Sequence, residues 1–146
     1  MTEVVFHFNV ADKLTYARRL ARQALRRETA LAITAEPHDL LELDRTLWHM
    51  EPTDFVAHCH AEDAEPALLQ ASRITLSADP RLCAHRDRLL NLGPELPAGF
   101  DEFARVVELV SLTDEEDRAR ARRRWKAYAA AGHPISRHDA AAGGVR

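Results

Sequence analysis

Between residues 118 and 126 six of nine side chains are basic, and a tryptophan stands among them. At 100° per residue on a helix, Arg118, Arg122 and Trp125 fall in one narrow stripe with Lys126 at its margin, while Arg120 and Arg123 turn elsewhere. Guanidinium and ammonium groups fenced around an indole can take an acidic segment that carries an apolar anchor. Trp with Arg is also the pairing enriched at binding hot spots, where one truncation costs about 2 kcal/mol or more. The bland alternative is a solvated helix whose arginines cover its outer surface. Ala121 and Tyr128 lie beside the stripe and are expected to face the core.

A second group with chemistry is His58, Cys59 and His60, because alternate residues of a strand point to one face. Zinc needs a third or fourth ligand at recognisable spacing, and neither Asp63 nor Cys83 supplies one by pattern, so no metal site is expected. His7, His38, His49 and His85 are scattered, and His133 and His138 follow the basic helix. No Ser, His, Asp set or paired acids stand in a motif, so no catalytic residue is named.

The basic residues need a helix to align them, and the sequence marks both of its ends. Thr113 followed by Glu116 is a capping-box pattern, with further acids at 114, 115 and 117 where first-turn amides favour negative charge. Gly132 can take the left-handed conformation that stops a helix, and Pro134 prevents its restart. Upstream, residues 4–8 are a nearly unbroken apolar run, expected as a central strand buried on both faces. Residues 12–28 follow as an amphipathic helix with its arginines outward, and 29–34 as a second strand. That strand, helix, strand order is a parallel crossover, and the fold class is α/β.

A helix from Pro37 to about Met50 comes next, then a turn with Phe55 entering a short extended piece. Trp48 and Phe55 either pack in the core or share one exposed surface, and both readings stay open. Residues 61–72 read as a loop. Residues 73–78, 86–92 and 105–110 read as strands, with one helical turn at 100–104, giving about five strands in all.

Nucleotide sites on such sheets use closely spaced glycines after the first strand, but the first glycine of this chain is Gly93. A nucleotide-binding enzyme is therefore a weak alternative, and no cofactor is expected. The net charge of −3 makes the basic helix a local feature, which weighs against a second alternative, direct nucleic-acid binding. Two cysteines in no recognisable framework, no leader-like start and no long apolar run are expected of a cytoplasmic protein with reduced thiols and no membrane span. At 146 residues one domain is expected, with a tail from about residue 140 that is flexible.

Three segments carry a resemblance: LDRTLWHMEPTDFVAHC at 43–59, LLNLGPELPAGFDEFARVVELV at 89–110 and RRRWKAYAAAGHPISRHD at 122–139. Together they resemble the chi subunit of bacterial DNA polymerase III. The resemblance implies a three-layer α/β/α domain with a mostly parallel sheet, Rossmann-like but without a nucleotide site. It implies a non-catalytic member of the clamp-loader assembly that binds the acidic C-terminal tail of single-stranded DNA-binding protein, reaching DNA only indirectly. Carried over by motif, the tail site is Arg118, Arg122, Trp125 and Lys126, with Leu112 and Tyr128 shaping the pocket. Leu47, Trp48, Pro52 and Phe55 are then the face for a psi subunit or another protein.

Overall fold

A computed structural model describes residues 2–48 and 57–143. β1 (Glu3–Val10) leads through α1 (Lys13–Arg26) to β2 (Leu31–Thr34) and α2 (Pro37–Trp48). The next described elements are β3 (Cys59–His60), α3 (Pro66–Ala71), β4 (Ile74–Ser77), β5 (Arg88–Asn91) and β6 (Arg105–Ser111). The chain then forms α4 (Glu115–Ala130), β7 (Ile135–Asp139) and a closing helical turn, α5 (Ala140–Gly143). Among the described residues the strands make one sheet in the order β3-β4-β2-β5-β6-β1-β7, and every neighbouring pair is parallel.

An all-parallel sheet needs both faces covered, because no face is left to water. Strand periodicity supplies two apolar faces at once. Along β6, Val107 and Leu109 join a cluster with Leu20 and Ala21 of α1 and Leu40, Leu43 and Leu47 of α2. Val106 of the same strand joins Val4, Phe6, Phe103, Ala121 and Tyr128 on the α4 side. The result is three layers, α1 and α2 against one face and α4 against the other, which is the expected α/β class.

The sheet has two more strands than the sequence pattern gave. β7, sequence ISRHD, is polar and only partly buried, so it lacks the apolar run that reveals a strand, and it is held as an edge by pairing with β1. β3 is two residues long, within the short extended piece expected there. Within the stretch read as a loop, α3 buries no side chain fully and leaves Leu68 exposed, so it had no amphipathic period to detect. The β1-α1-β2 crossover also passes over two intervening strands, β6 and β5. Residues 140–143 form a helical turn, whose Ala140 packs on the first core cluster.

After β1, where a phosphate loop would lie, Asp12 caps α1 by accepting from the Thr15 amide at 3.1 Å. A carboxylate at the helix start fills the place an anion would take. Pro52 and Phe55 lie outside the described residues, as does the side chain of Trp48. Leu47 is wholly buried in the α1/α2 core, so in the isolated chain it is not open to a partner.

Candidate functional site

The position of α4 is set at its two ends. Its N-cap is Asp114, one residue beyond the Thr113 expected from the capping-box pattern. The Asp114 carboxylate accepts from the amides of Glu116 at 3.0 Å and Asp117 at 3.2 Å. Thr113 is displaced because Ser111 Oγ takes the amides of both Thr113 and Asp114, extending the β6 turn by a residue. Asp117 then ties the helix to two other elements, accepting from Lys13 Nζ and from the Ser111 amide, each at 2.8 Å. Burial works to raise the Asp117 pKa, but those two hydrogen bonds and the Lys13 charge win, and the carboxyl lies below its ordinary range.

At the other end Gly132 adopts φ 85°. The His133 amide reaches back to the Tyr128 carbonyl and the Gly132 amide to the Ala129 carbonyl. This double closure satisfies the last turn and turns the chain into β7.

Beneath α4 lies a buried polar cluster. Glu108, on β6, is fully enclosed. It accepts from Arg124 Nε at 3.0 Å, from the Tyr128 hydroxyl at 2.6 Å and from Asn91 Nδ2 at 2.9 Å. Arg124 also donates to the Pro94 carbonyl at 3.0 Å. Burial drives the Glu108 carboxyl above its ordinary range, while the Arg124 charge and the hydrogen bonds from Asn91, Tyr128 and Arg124 oppose that rise. Burial and the neighbouring Glu108 push the Tyr128 phenol up, which keeps it a hydrogen donor. Ion pairs removed from water contribute little net stability, but leaving one partner alone is costly, so this cluster fixes the rotation and height of α4 on the sheet.

With the helix so oriented, a groove of about 400 Å³ opens between α4 and the strands β6, β1 and β7. Phe6, Phe8, Val110 and Ala121 supply its apolar surface, and Trp125 leans on Phe6 with ring centroids 5.0 Å apart. Arg118, Arg122, Lys126 and Arg137 surround it, and no acidic side chain lines it. Arg118 is steadied by donating to the Leu112 carbonyl at 3.1 Å. The Arg137 guanidinium stands over the Phe8 ring, 5.8 Å from its centroid. Four cations around an apolar floor are chemically complementary to an anionic group attached to one large apolar group.

The four residues of the sequence stripe, Arg118, Arg122, Trp125 and Lys126, thus line one groove. Leu112 and Tyr128 do not line it. Leu112 is exposed at the end of β6 and acts through its carbonyl, and Tyr128 is fully buried, touching the groove only by supporting Phe6 edge-on at 6.0 Å. Arg137, Phe6 and Phe8 were not foreseen. Arg137 sits on the strand that the pattern does not reveal, and the apolar run at 4–8 predicts the phenylalanines only as core. Glu108 and Arg124 do carry a signal in the sequence: an acid inside the run RVVELV, and an arginine in phase with Ala121 and Tyr128 on the inward side of the helix.

At the far edge of the sheet Asp44, His58 and His60 converge. The two imidazole Nε2 atoms lie 2.6 and 3.1 Å from the same Asp44 oxygen. Among the described residues this is the one cluster of three metal-competent side chains. Asp44 is the donor the sequence pattern lacked, since it comes from α2, 14 positions before His58. Cys59 and Cys83 are unpaired and buried, and burial pushes the Cys83 thiol up to about 12. No described helix is long and apolar enough to cross a membrane.

Residues 1–136 match the model of the family described as DNA polymerase III chi subunit, HolC. The chain is 32% identical over 144 residues to the DNA polymerase III subunit chi of Pseudomonas aeruginosa, a match covering 94% of this chain and 96% of that protein. It is 31% identical over 88 residues to the protein of the same name from Haemophilus influenzae, covering 59% and 58% of the two chains.

Proposed function

The chain belongs to the DNA polymerase III chi subunit family, and on that premise we propose that it is a non-catalytic adaptor of the replicative polymerase. Its α4 groove takes the acidic C-terminal tail of single-stranded DNA-binding protein and links that protein to the clamp loader. The observation that carries this reading is the groove itself: an indole and two phenylalanines ringed by four cations, with no acid among the lining side chains. A tail with a terminal aromatic residue would seat its ring against Trp125 and Phe6. Its free carboxylate and preceding aspartates would meet Arg118, Arg122, Lys126 and Arg137. DNA is reached through the tail's owner and not by the groove directly, in keeping with a chain whose net charge is −3.

A second protein contact, with a psi subunit or another partner, is proposed for the segment around Trp48, Pro52 and Phe55. α2 anchors the start of that segment by burying Leu47.

Titrating the isolated chain with an acidic peptide that ends in an aromatic residue and a free carboxylate tests the first reading. One apolar anchor and two or three charge contacts give a Kd on the order of micromolar, about −8 kcal/mol. Replacing the terminal aromatic with alanine removes detectable binding. Equal binding of both peptides would reject the groove as the tail site. A single-stranded oligonucleotide that bound tightly in the same assay, with a steep loss on adding salt, would favour direct nucleic-acid contact instead.

A further inference from the structure

We propose that Asp44, His58 and His60 form a divalent transition-metal site of the Zn²⁺ kind, pinning the β3 edge of the sheet to α2. His58 and His60 are alternate residues of an extended segment, so both rings stand on one face of it, with centroids 6.2 Å apart. Asp44 lies one turn before the end of α2, where its carboxylate meets both rings. The Nε2 atoms approach one oxygen at 2.6 and 3.1 Å, and the three donor atoms lie within 4.8 Å of one another. In four-coordinate zinc, bonds of about 2.0–2.1 Å hold ligand atoms roughly 3.3 Å apart, so the cluster reaches that geometry by side-chain shifts of about 1 Å.

The donor set chooses the metal. Two imidazole nitrogens with one carboxylate oxygen suit Zn²⁺ and its neighbours, whereas Mg²⁺ and Ca²⁺ take shells of oxygen. Cys59, between the two histidines, is buried and turned to the opposite face, so no thiolate enters the set. The His58 side chain is 1% exposed, against 34% for His60 and 25% for Asp44. One arm is therefore fixed in the protein, and the open side leaves a fourth position for water. The role of the ion is structural: β3 has two residues and pairs with β4 alone, so a ligand bridge to α2 adds a restraint that its short ladder lacks. The site stands at the opposite edge of the sheet from the α4 groove, and its argument is independent of what that groove binds.

The test uses the full chain, stripped with chelator and dialysed against ZnCl₂, with bound metal counted and thermal unfolding followed in parallel. One Zn²⁺ is expected per chain, together with a rise in Tm, because an ion held by the folded state alone stabilises it. Asp44→Asn and His60→Gln, near-isosteric changes at partly exposed positions, should each weaken uptake by about tenfold or more and remove the Tm rise. His85→Ala, which alters a histidine hydrogen-bonded to the Gln70 carbonyl well away in sequence, should change neither. A stripped chain that takes up no Zn²⁺ overturns the proposal and leaves a purely hydrogen-bonded His, Asp, His cluster. So does unchanged uptake by Asp44→Asn and His60→Gln.

Discussion

Helix α4 presents two faces built from the same residue type for different ends. Outward, Arg122 and Lys126 are exposed and Arg118 half-buried, around a groove that holds no acid. Inward, Arg124 is enclosed with Glu108, Tyr128 and Asn91. The outward cations stay hydrated and open to a ligand's charge, which is the role proposed for them. The inward one has already been desolvated, so its value lies in where it holds the helix. Charge content alone does not separate recognition from positioning; burial and the number of committed donors do.

The largest effect should come from the inner face. Arg124→Leu leaves Glu108 buried without its counter-charge and should lower unfolding free energy by about 3–5 kcal/mol, read from the urea midpoint. Adding Glu108→Leu should recover much of that loss. If Arg124→Leu left the midpoint unchanged but weakened the tail peptide, the division between faces would fail. Next is Trp125→Ala, which should remove roughly 2 kcal/mol of peptide binding with little dependence on salt, since the indole is an apolar anchor. Calorimetry at two ionic strengths decides it, and full affinity in a folded Trp125→Ala chain would return α4 to a solvated surface helix.

Acidification sharpens the contrast from another side. Burial first, and then the neighbouring His138, lowers the His7 pKa from 6.5 to about 4. Between those values the unfolded chain binds a proton that the folded chain refuses. This contribution to stability is therefore complete above pH 6.5 and is lost as pH falls towards 4, a change on the order of 1–2 kcal/mol after allowance for partial exposure. His7→Gln should flatten the stability profile between pH 6.5 and 4 while leaving peptide affinity at neutral pH unchanged, and a profile that kept its slope would assign the loss to other groups. The smallest expected effect is that of Arg122→Ala, a loss of about 1 kcal/mol in peptide binding that shrinks as salt rises, because exposed charges are screened over about 8 Å at physiological ionic strength. A salt-independent loss would mean that Arg122 acts by packing.

How much of this was legible in the sequence follows from which interactions leave a pattern. The stripe of Arg118, Arg122, Trp125 and Lys126 was readable because a helix turns spacing into direction, and the stop at Gly132 because few residues serve there. The buried strands were readable from apolar runs. β7 was not, since an edge strand with polar side chains is specified by its partner β1 and not by its own composition, and with it went Arg137. Asp44 was hidden for a similar reason: nothing local to 37–48 reveals that an acid on α2 will meet histidines from the other side of an intervening segment. The Thr113 cap erred by one residue because Ser111, at the end of a strand, reached forward to claim amides that the capping pattern assigns to the helix.

The register of the sheet bears on how the protein is made. β1 pairs with β6 on one side and β7 on the other, and the Glu3–Arg105 ion pair joins residues 102 positions apart. As a ribosome delivers the chain, EVVFHFNV therefore emerges with neither neighbour, and keeps one row of backbone groups open until β6 has followed and the other until β7 has. Such a segment is an aggregation hazard during that wait, and a nascent-chain chaperone has reason to hold it. Phe6 and Phe8 lie in that same waiting strand, so the groove is among the last parts of the molecule to be assembled. A product truncated before residue 135 would lack β7 and would carry an incomplete groove into the cell.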